Sequence, residues 1–280
     1  VVVAVEPGPD AVDFELLEPL VHDLPPALRV VTAGSDNLVA RAAQAFRAAT
    51  GLSGRIRLTL RKGIPAGAGL GGGSSDAAAV LLGLAQLARA AGSGIPDLAA
   101  LALSLGADVP FFLSPQPARV TGIGEEIAPI EGLPDLDLVI ANPGISVATA
   151  EVYRVADQLP DSLTASGAGS TMRAISRLSG EKEHWGTALG DLLVNDLEPA
   201  AIRLCPPIGG LIGRMREGGA IGAGMSGSGA TVFGVFESAE QARKAAEALA
   251  GSRGLSGTAS EVQAGRIWAR ATRVRATRSS

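Results

Sequence analysis

Several residue types that carry common kinds of chemistry are scarce in this sequence of 280 residues. A single cysteine, Cys205, excludes a disulfide framework or a cysteine-rich metal site and suits a reducing compartment. Two histidines, His22 and His184, leave little room for a cluster of histidine metal ligands. Aromatic residues make up 3% and the net charge is −4, unlike the basic, stacking-rich surface of a nucleic-acid-binding protein. Apolar runs are far shorter than a membrane span, so we expect a cytoplasmic protein that binds neither nucleic acid nor membrane.

Lysine is also rare, because only Lys62, Lys182 and Lys244 are found among the 24 basic residues. This arginine bias, with many Ala, Gly and Pro residues, is typical of a GC-rich bacterial source. What is abundant is hydrophobic sequence, at 46% against 19% charged residues, which is a globular rather than a disordered composition. The length allows one large domain or two ordinary ones.

Hydrophobic periodicity and turn residues predict an α+β protein of two halves, 1–140 and 141–280. Strands are predicted at 1–6, 13–18, 55–60, 118–121, 126–129 and 136–141, around 220–224 and 231–236, and as an edge strand in the tail after Arg266. Helices are predicted from Asn37 to Gly51, from about Asp76 to Ala91, up to Gly106, over much of 142–200, and at 239–249.

A glycine-rich loop, KGIPAGAGLGGGSS, runs directly into the second predicted helix. Glycines allow a backbone to turn tightly with its N–H groups inward, and a helix N-terminus adds unpaired N–H donors and a positive dipole end. The combination predicts a phosphate site, with hydroxyls available for phosphate or Mg²⁺. Its residues are Gly67, Gly69, Gly71, Gly72, Gly73, Ser74 and Ser75.

The loop fits the named nucleotide motifs poorly. It has no GK[ST], so it is not a Walker A loop, and the spacing Gly67-x-Gly69-x-x-Gly72 is by itself only a weak dinucleotide signature. The alternative is a glycine turn in which a serine caps the helix. Five glycines within seven residues are more than a cap requires, which favours the phosphate site.

A second loop, GMSGSG at 224–229, lies between two apolar strands. It is either a tight hairpin of ordinary turn residues or a second backbone wall around an anion, and the sequence leaves these two readings near even. It lacks the G-x-S-x-G spacing of a hydrolase and has no convincing histidine partner, so serine hydrolysis is disfavoured.

Asp108 is the only charged residue in the apolar stretch LGADVPFFL. A buried carboxylate without compensation is costly, so Asp108 is expected either to be hydrogen-bonded structurally or to be held for chemistry. It could also cap a turn. Near a phosphate site, a carboxylate can orient and deprotonate an attacking hydroxyl.

These segments, in this order, resemble the GHMP kinase superfamily. The superfamily's ATP loop, Pro-x-x-x-Gly-Leu-Gly-x-Ser-Ser, corresponds to the stretch from Pro65 through Gly69-Leu70-Gly71 to Ser74-Ser75. The stretches GLGGGSSDAAA, GADVPFF, Gly122–Glu125, NPGISVATAEVY, NDLE and MSGSGATVF narrow the resemblance to its branch that acts on a cytidine-diphosphate-linked methylerythritol in non-mevalonate isoprenoid precursor synthesis. Homoserine or mevalonate-type kinases and a non-catalytic nucleotide-binding relative are the alternatives.

The resemblance implies a two-lobed α+β fold, with an S5-like N-terminal lobe and a ferredoxin-like C-terminal lobe, weak self-association, and ATP-dependent phosphorylation of the substrate 2-hydroxyl. It implies that Asp108 is the catalytic aspartate and also contacts substrate, and that Tyr153 stacks on cytosine instead of packing in a helix. Ser75 is the protein contact expected for Mg²⁺. The remaining implied sites are ATP contacts at Pro65, Gly67 and Gly69 to Ser75, and substrate contacts at Thr149, Gly227, Ser228 and Gly229.

The resemblance breaks at the beginning of the chain. The family opens with Pro-Ala-Lys-[Ile/Val]-Asn-Leu, beside its catalytic aspartate, and continues with Asp-Gly-Tyr-His, which holds the cytosine end. Neither motif is present, no lysine precedes Lys62, and His22 lies in an unrelated context, LVHDLPP. Truncation and true loss both remain open, and the retained phosphate loop favours truncation. Loss of one charge-stabilising cation predicts that the chain as written is slower by about 10³–10⁵-fold.

Overall fold

The computed structural model describes residues 1–21, 24–31, 34–131, 133–160, 193–250 and 268–274. The strands are β1 (Val2–Glu6), β2 (Ala11–Leu17), β3 (Arg55–Arg61), β4 (Ala118–Thr121), β5 (Glu126–Pro129), β6 (Leu136–Asn142), β7 (Gly222–Met225), β8 (Val232–Phe236) and β9 (Trp268–Val274). The α-helices are α1 (Leu38–Thr50), α2 (Gly72–Ala90), α3 (Leu98–Leu105), α4 (Thr149–Ala156), α5 (Glu198–Leu204), α6 (Pro207–Glu217) and α7 (Ala239–Ala250). Single 3₁₀ turns lie at Pro26–Leu28 and Pro110–Leu113.

The predicted strands, and the helices predicted at 37–51, 76–91, up to Gly106 and at 239–249, are confirmed with small shifts of their ends, and the largest shift is at α2. Within 142–200 the described residues contain α4 and the first residues of α5, and helix α6 was not predicted. Helix α2 begins at Gly72 and not at Asp76. Glycine and serine have low helix propensity, which made the segment read as a loop. Packing overrides propensity here: a Cβ on Gly72 would lie 2.9 Å from Ile64 Cγ2, so only glycine fits the first turn against the residues that follow β3.

The chain forms two compact units. Unit 1 comprises Val1–His22, Val30–Ala66 and Gly71–Glu131, and unit 2 comprises Asp23–Arg29, Gly67–Leu70 and Gly132–Ser280. Strand β6, which the expected boundary near residue 140 would cut, lies wholly in unit 2 because it pairs with β8 and β9. The phosphate loop is divided between the units, since Gly67–Leu70 group with unit 2 and α2 with unit 1.

Unit 1 contains a three-stranded sheet in the order β1-β3-β2. Strand β3 is antiparallel to β1 and parallel to β2, which pairs with it from Ala11 opposite Arg55 to Leu17 opposite Arg61. The side chains of β3 alternate strictly, which is the pattern of a strand with one buried face. That face packs against α1 and α2 in a core that includes Val39, Ala42, Ala43, Phe46, Ile56, Leu58, Leu60, Ala77, Ala78, Val80, Leu81 and Leu84. The short β4–β5 hairpin is a separate antiparallel pair.

Unit 2 contains an antiparallel sheet in the order β7-β8-β6-β9. The tail strand β9 is at an edge, as predicted. The sheet and the helices enclose a core that includes Val139, Ala141, Val152, Val155, Ala200, Ala201, Ile208, Leu211, Met215, Val232, Phe236, Ala242 and Leu249.

Some predictions fall on residues outside the described ranges. These are His22, His184, Lys182 and the part of the predicted helical region at 161–192. Within the described ranges, no helix is both long and apolar enough to cross a membrane.

Candidate active site

The first turn of α2 has backbone N–H groups that are open to a ligand. Its N-cap, Gly71, has a φ of +67°, a left-handed conformation that glycine adopts without strain. In the described part of the chain, the N–H groups of Gly72, Gly73 and Ser74 donate no hydrogen bond. Three adjacent donors at the positive end of a 19-residue helix are the arrangement that binds phosphate.

The serines at this turn do not cap the helix, so the alternative of a serine cap is wrong. Ser75 Oγ instead donates to the carbonyl oxygen of Gly72 at 3.0 Å. That bond uses the hydroxyl proton and leaves the oxygen lone pairs free to accept or to bind a cation. No cluster of three or more His, Cys, Asp or Glu side chains that could hold a metal lies within the described residues.

A buried ion pair lies beside the same turn, and sequence reasoning missed it. Lys62, 7% exposed, donates from Nζ to the carboxylate of Asp76. A Cβ on Gly72 would lie 3.2 Å from Lys62 Nζ, so the ammonium group lies against the first residue of the helix. A cation near the positive end of a helix dipole is unfavourable by itself, and Asp76 offsets its charge. The sequence did contain a signal for this pair, because Lys62 and Asp76 have opposite charges and flank the glycine loop.

Asp108 lies in the turn from Gly106 to Val109, which is closed by the N–H of Val109 donating to Gly106 O at 3.1 Å. Its side chain is exposed, so the expectation of a buried carboxylate is wrong. The apolar neighbours Val109 and Pro110 are buried while Asp108 stays in solvent, so the apolar sequence around it carries no desolvation cost. Within the described residues its carboxylate has no hydrogen-bond or ion-pair partner, and it caps no turn.

The backbone beside Asp108 is held by the tip of the β4–β5 hairpin. Gly124 has a φ of +110°, and a Cβ there would lie 1.9 Å from Ala107 O. On the other side of Asp108, the Phe112 ring lies over Gly71, where a Cβ would be 2.7 Å from Cζ. The segment that carries Asp108 therefore packs within unit 1 against Gly71, the N-cap of α2.

In unit 2, the two glycine loops touch each other. Ser226 Oγ donates to the carbonyl oxygen of Gly69 at 2.8 Å. Gly69 has a φ of +72°, and a Cβ there would lie 2.5 Å from Ser226 O and 2.8 Å from Gly229 O. Residues 226–231 connect the antiparallel pair β7–β8. The hairpin reading of this loop is confirmed, and the loop also packs against Gly69. The reading as a wall around an anion stays a prediction.

Two N–H groups of the second loop are open to a ligand. In the described part of the chain, those of Gly227 and Ser228 donate no hydrogen bond, whereas Ser226 N donates to Thr231 O and Gly229 N to Ser226 O. Gly227 has a φ of +55°. Successive open N–H groups around a left-handed residue form a concave anion-binding nest.

Helix α4 carries the two residues predicted to meet the substrate. Thr149 Oγ1 lies 2.8 Å from Ser228 Oγ, which joins the helix to the second glycine loop. Tyr153 is one turn further along and on the same face as Thr149. Its side chain is 54% exposed, so it does not pack in the core and is available for stacking.

The turn between β6 and α4 is held by Asn142, a buried polar residue at the end of β6. Asn142 Oδ1 accepts N–H bonds from Gly144 at 2.9 Å and Ile145 at 3.3 Å, and Nδ2 donates to Thr231 Oγ1 at 3.0 Å. These bonds turn the chain out of the sheet toward the helix, and they tie the turn to β8.

An exposed ion pair lies on α4 beside Tyr153. Arg154 donates two hydrogen bonds to Glu151 Oε2, at 3.0 Å and 2.7 Å. Hydrogen bonding and the charge of Arg154 lower the pKa of Glu151, and the same contacts raise the pKa of Arg154. Both groups stay charged around neutral pH, and the pair limits the positions that the Arg154 side chain takes next to the tyrosine.

The predicted site residues therefore form two groups. Unit 2 brings together Gly67 and Gly69 with Gly227, Ser228, Gly229 and Thr149, and Tyr153 lies on the same helix face as Thr149. Unit 1 brings the segment of Asp108 to Gly71–Ser75, with Pro65 buried ahead of the loop.

An exposed aspartate beside an anion-binding helix, and two glycine loops that offer free N–H groups, are features of a phosphoryl-transfer enzyme. Comparison with known proteins gives the class. Residues 37–116 match the family model described as the GHMP kinases N terminal domain, and residues 179–254 match GHMP kinases C terminal.

The sequence is similar to a more specific group of enzymes. It is 42% identical over 221 residues to the 4-diphosphocytidyl-2-C-methyl-D-erythritol kinase of Syntrophotalea carbinolica. The aligned residues make up 79% of this chain and 74% of the relative. It is 44% identical over 229 residues to the enzyme of the same name from Thermus thermophilus, with 80% and 76% covered. The chain belongs to the GHMP kinases and, within them, to the 4-diphosphocytidyl-2-C-methyl-D-erythritol kinase family.

Solved structures agree with this membership. A crystal structure of 4-(cytidine 5'-diphospho)-2C-methyl-D-erythritol kinase superposes with a TM-score of 0.65 at 37% identity, covering 96% of this chain and 84% of that one. Homoserine kinase from Cytophaga hutchinsonii has a TM-score of 0.68 at 19% identity, covering 98% and 84%. At that identity the second match supports the fold alone.

Proposed function

We propose that the protein carrying this chain transfers the γ-phosphoryl group of ATP to the 2-hydroxyl of 4-diphosphocytidyl-2-C-methyl-D-erythritol. The observation that carries the proposal is the exposed carboxylate of Asp108, in a segment that packs on the first residues of the anion-binding helix α2. The proposed substrate is the one that the names of the relatives described above contain. Both substrates are charged, water-soluble nucleotides, which fits the expectation of a cytoplasmic reaction.

In this proposal the phosphates of ATP accept hydrogen bonds from the open N–H groups of Gly72, Gly73 and Ser74. The remaining loop residues, Pro65 and Gly67 to Gly71, shape the backbone around the phosphates. The pair of Lys62 and Asp76 stabilises the first turn of α2 and keeps a cation close to it.

Mg²⁺ would be held by Ser75 Oγ together with phosphate oxygens, a donor set that suits an ion which keeps several waters and takes few protein ligands. Ser75 is suited to bind the ion because its hydroxyl donates to Gly72 O, so its oxygen lone pairs remain available. When bound, the ion neutralises charge that develops on the phosphates.

Asp108 accepts the proton of the substrate hydroxyl as the oxygen attacks the γ-phosphorus and the bond to the β-γ bridging oxygen breaks. Its exposure supports this role, because a substrate hydroxyl can reach the carboxylate directly. The open N–H groups of Gly227 and Ser228, and the adjacent Gly229, hold the transferred group.

The cytidine end of the substrate is assigned to α4. Tyr153 stacks on the cytosine ring, an interaction of roughly 1–3 kcal/mol for a base on an aromatic side chain. Thr149 contacts the substrate through its hydroxyl, and Ser228, 2.8 Å away, keeps that hydroxyl on the same side of the helix.

A substrate panel tests the proposal. The purified protein is incubated with ATP and, separately, with 4-diphosphocytidyl-2-C-methyl-D-erythritol, homoserine or mevalonate, and ADP release and the phosphorylated product are measured. We expect turnover with the cytidine compound and none above background with the others. Preferential turnover of homoserine or mevalonate would falsify the assignment. Tight ATP binding with no turnover of any acceptor would also contradict it, provided that the assay can detect a rate reduced by about 10⁵-fold, the largest loss expected from the missing cation.

A further inference from the structure

The segment Asn195–Glu198 has no part in the reaction proposed above, yet it lies against the second glycine loop within unit 2. Asn195 Nδ2 donates to the carbonyl oxygens of Met225 and Gly227, at 3.0 Å and 2.8 Å. Glu198 Oε2 accepts the N–H of Met225 at 3.0 Å. Three hydrogen bonds thus hold the first half of the loop against the start of α5.

The amide of Asn195 uses both of its ends. Its Oδ1 accepts the N–H of Leu197 at 3.0 Å, which supports the turn that leads into α5. Only the NH₂ group can donate to two carbonyl oxygens, so the partners determine which way the amide points. Asn195 therefore links the beginning of α5 to two peptide groups of the loop.

The bond to Gly227 O also orients the next N–H group. The peptide between Gly227 and Ser228 is trans, so its N–H points opposite to its carbonyl. With the carbonyl held by Asn195, the N–H of Ser228 faces away from Asn195. In the described part of the chain this N–H donates to no other group.

We propose that Asn195 is a positioning residue that holds the Gly227 carbonyl and thereby aims the N–H of Ser228 at the phosphoryl group. Glu198 supports the same loop through Met225. The proposal rests on the proposed function for the identity of the anion, while the bracing of the loop is a property of the protein without ligand.

The variant Asn195→Asp removes the bonds from residue 195 to the glycine loop and keeps the bond that supports the turn into α5. Aspartate keeps an oxygen for the N–H of Leu197 but loses both donors, and it places a negative charge against two carbonyl oxygens. Glu198→Gln keeps an acceptor for Met225 N and should behave like the unchanged protein, whereas Glu198→Ala should resemble Asn195→Asp.

Two measurements are made on each variant. Hydrogen exchange of the unliganded protein reports on the N–H groups of Ser226 and Gly229, and steady-state kinetics with ATP and the cytidine substrate give kcat and KM. We expect Asn195→Asp to exchange at least about tenfold faster at these positions. We expect its kcat to fall by up to about 10²-fold, which is the size expected when a catalytic contact is displaced by about 1 Å, with the KM for ATP changed less than about threefold.

The bracing of the loop, the positioning role and the proposed function are each contradicted by a different result. Unchanged exchange in Asn195→Asp overturns the bracing, whatever the kinetics show. Faster exchange with kcat within about twofold of the unchanged protein overturns the positioning role. If the unchanged protein phosphorylates none of the panel substrates, the proposed function fails, and the exchange measurement alone then decides whether Asn195 braces the loop.

Discussion

Lys62 donates a hydrogen bond to Asp76 beside the first turn of helix α2, and both side chains are largely removed from solvent, with 8% and 20% of their side-chain surface exposed. The two residues lie on either side of the glycine loop. Their contact therefore joins the two ends of the loop. The negative charge of Asp76 also offsets the positive charge of a lysine that lies at the positive end of a helix dipole.

Removing one member of this pair should destabilise the protein more than removing both. Asp76→Asn leaves the ammonium buried without its counter-charge, at a cost of about 3 kcal/mol, the lower end for buried pairs because Asp76 is partly exposed. The double variant Lys62→Met, Asp76→Leu should recover part of the loss. Urea unfolding of the unchanged protein and of the two variants measures the difference, and equal losses for the single and double variants would contradict a compensated buried pair.

Asp108→Asn should abolish most turnover while ATP still binds. The asparagine cannot accept the substrate proton, and loss of a general base costs about 10²–10⁴-fold in kcat. Because Asp108 is exposed and has no partner among the described residues, the melting temperature should not change. Asp157→Asn, at another exposed aspartate, is the control. Near-normal kcat in Asp108→Asn would remove the residue from the mechanism.

Gly124→Ala should lower kcat indirectly, by moving the backbone next to Asp108. The added methyl group would meet Ala107 O at 1.9 Å, so the backbone next to Asp108 must shift, and a displacement of about 1 Å can cost about 10²-fold in rate. Gly94→Ala serves as a control, because no atom lies within 4 Å of its Cβ position. Kinetics and melting curves are compared, and a stable Gly124→Ala protein with unchanged kcat would show that the hairpin tip does not position Asp108.

Gly69→Ala should weaken ATP binding. Its φ of +72° costs an L-residue about 1–2 kcal/mol, and the Cβ would also press on the backbone oxygens of Ser226 and Gly229. Gly213→Ala is the comparison, since its Cβ position in α6 is open, and it should be neutral or slightly stabilising. Calorimetric titration with ATP gives the affinities, and we expect weaker binding in Gly69→Ala only. Equal affinities in the two variants would count against a tight contact of the glycine loops.

Tyr153→Ala should raise the KM for the cytidine substrate, whereas Tyr153→Phe should leave it almost unchanged. Loss of roughly 1–3 kcal/mol of stacking corresponds to about 5- to 150-fold in affinity. The KM for ATP and the melting temperature should stay the same, because the ring is 54% exposed. If the alanine variant kept its affinity for the cytidine substrate, the base would have to be held elsewhere.

Local signals in the sequence were sufficient for most of the fold. The strict alternation of β3 and the apolar spacing of α1 and α2 depend only on neighbouring residues, so the elements could be predicted. The glycine-rich loop that leads into α2 could be recognised for the same reason, since its glycines and the helix that follows are consecutive, and its binding of phosphate stays a prediction. The start of α2 could not be predicted, because Gly72 to Ser75 have low helix propensity, and the close approach of Ile64 that requires glycine at position 72 is visible only in the structure.

The state of Asp108 shows where such reasoning stops. Its apolar neighbours suggested burial, but residues adjacent in sequence can face opposite sides of a turn, and here Val109 is buried while Asp108 is exposed. Similarly, NDLE was visible as a motif, but its action depends on a loop 30 residues away in sequence.

The sequence by itself determined most of the elements, the glycine-rich loop before α2 and the kinase family, because each of these is carried by consecutive residues with their own conformational preferences. Only the tertiary structure decided that Lys62 meets Asp76, that Gly124 holds the backbone beside Asp108, and that Asn195 braces the second glycine loop. These contacts join residues that are distant in the chain, and their geometry depends on how strands, helices and turns pack together.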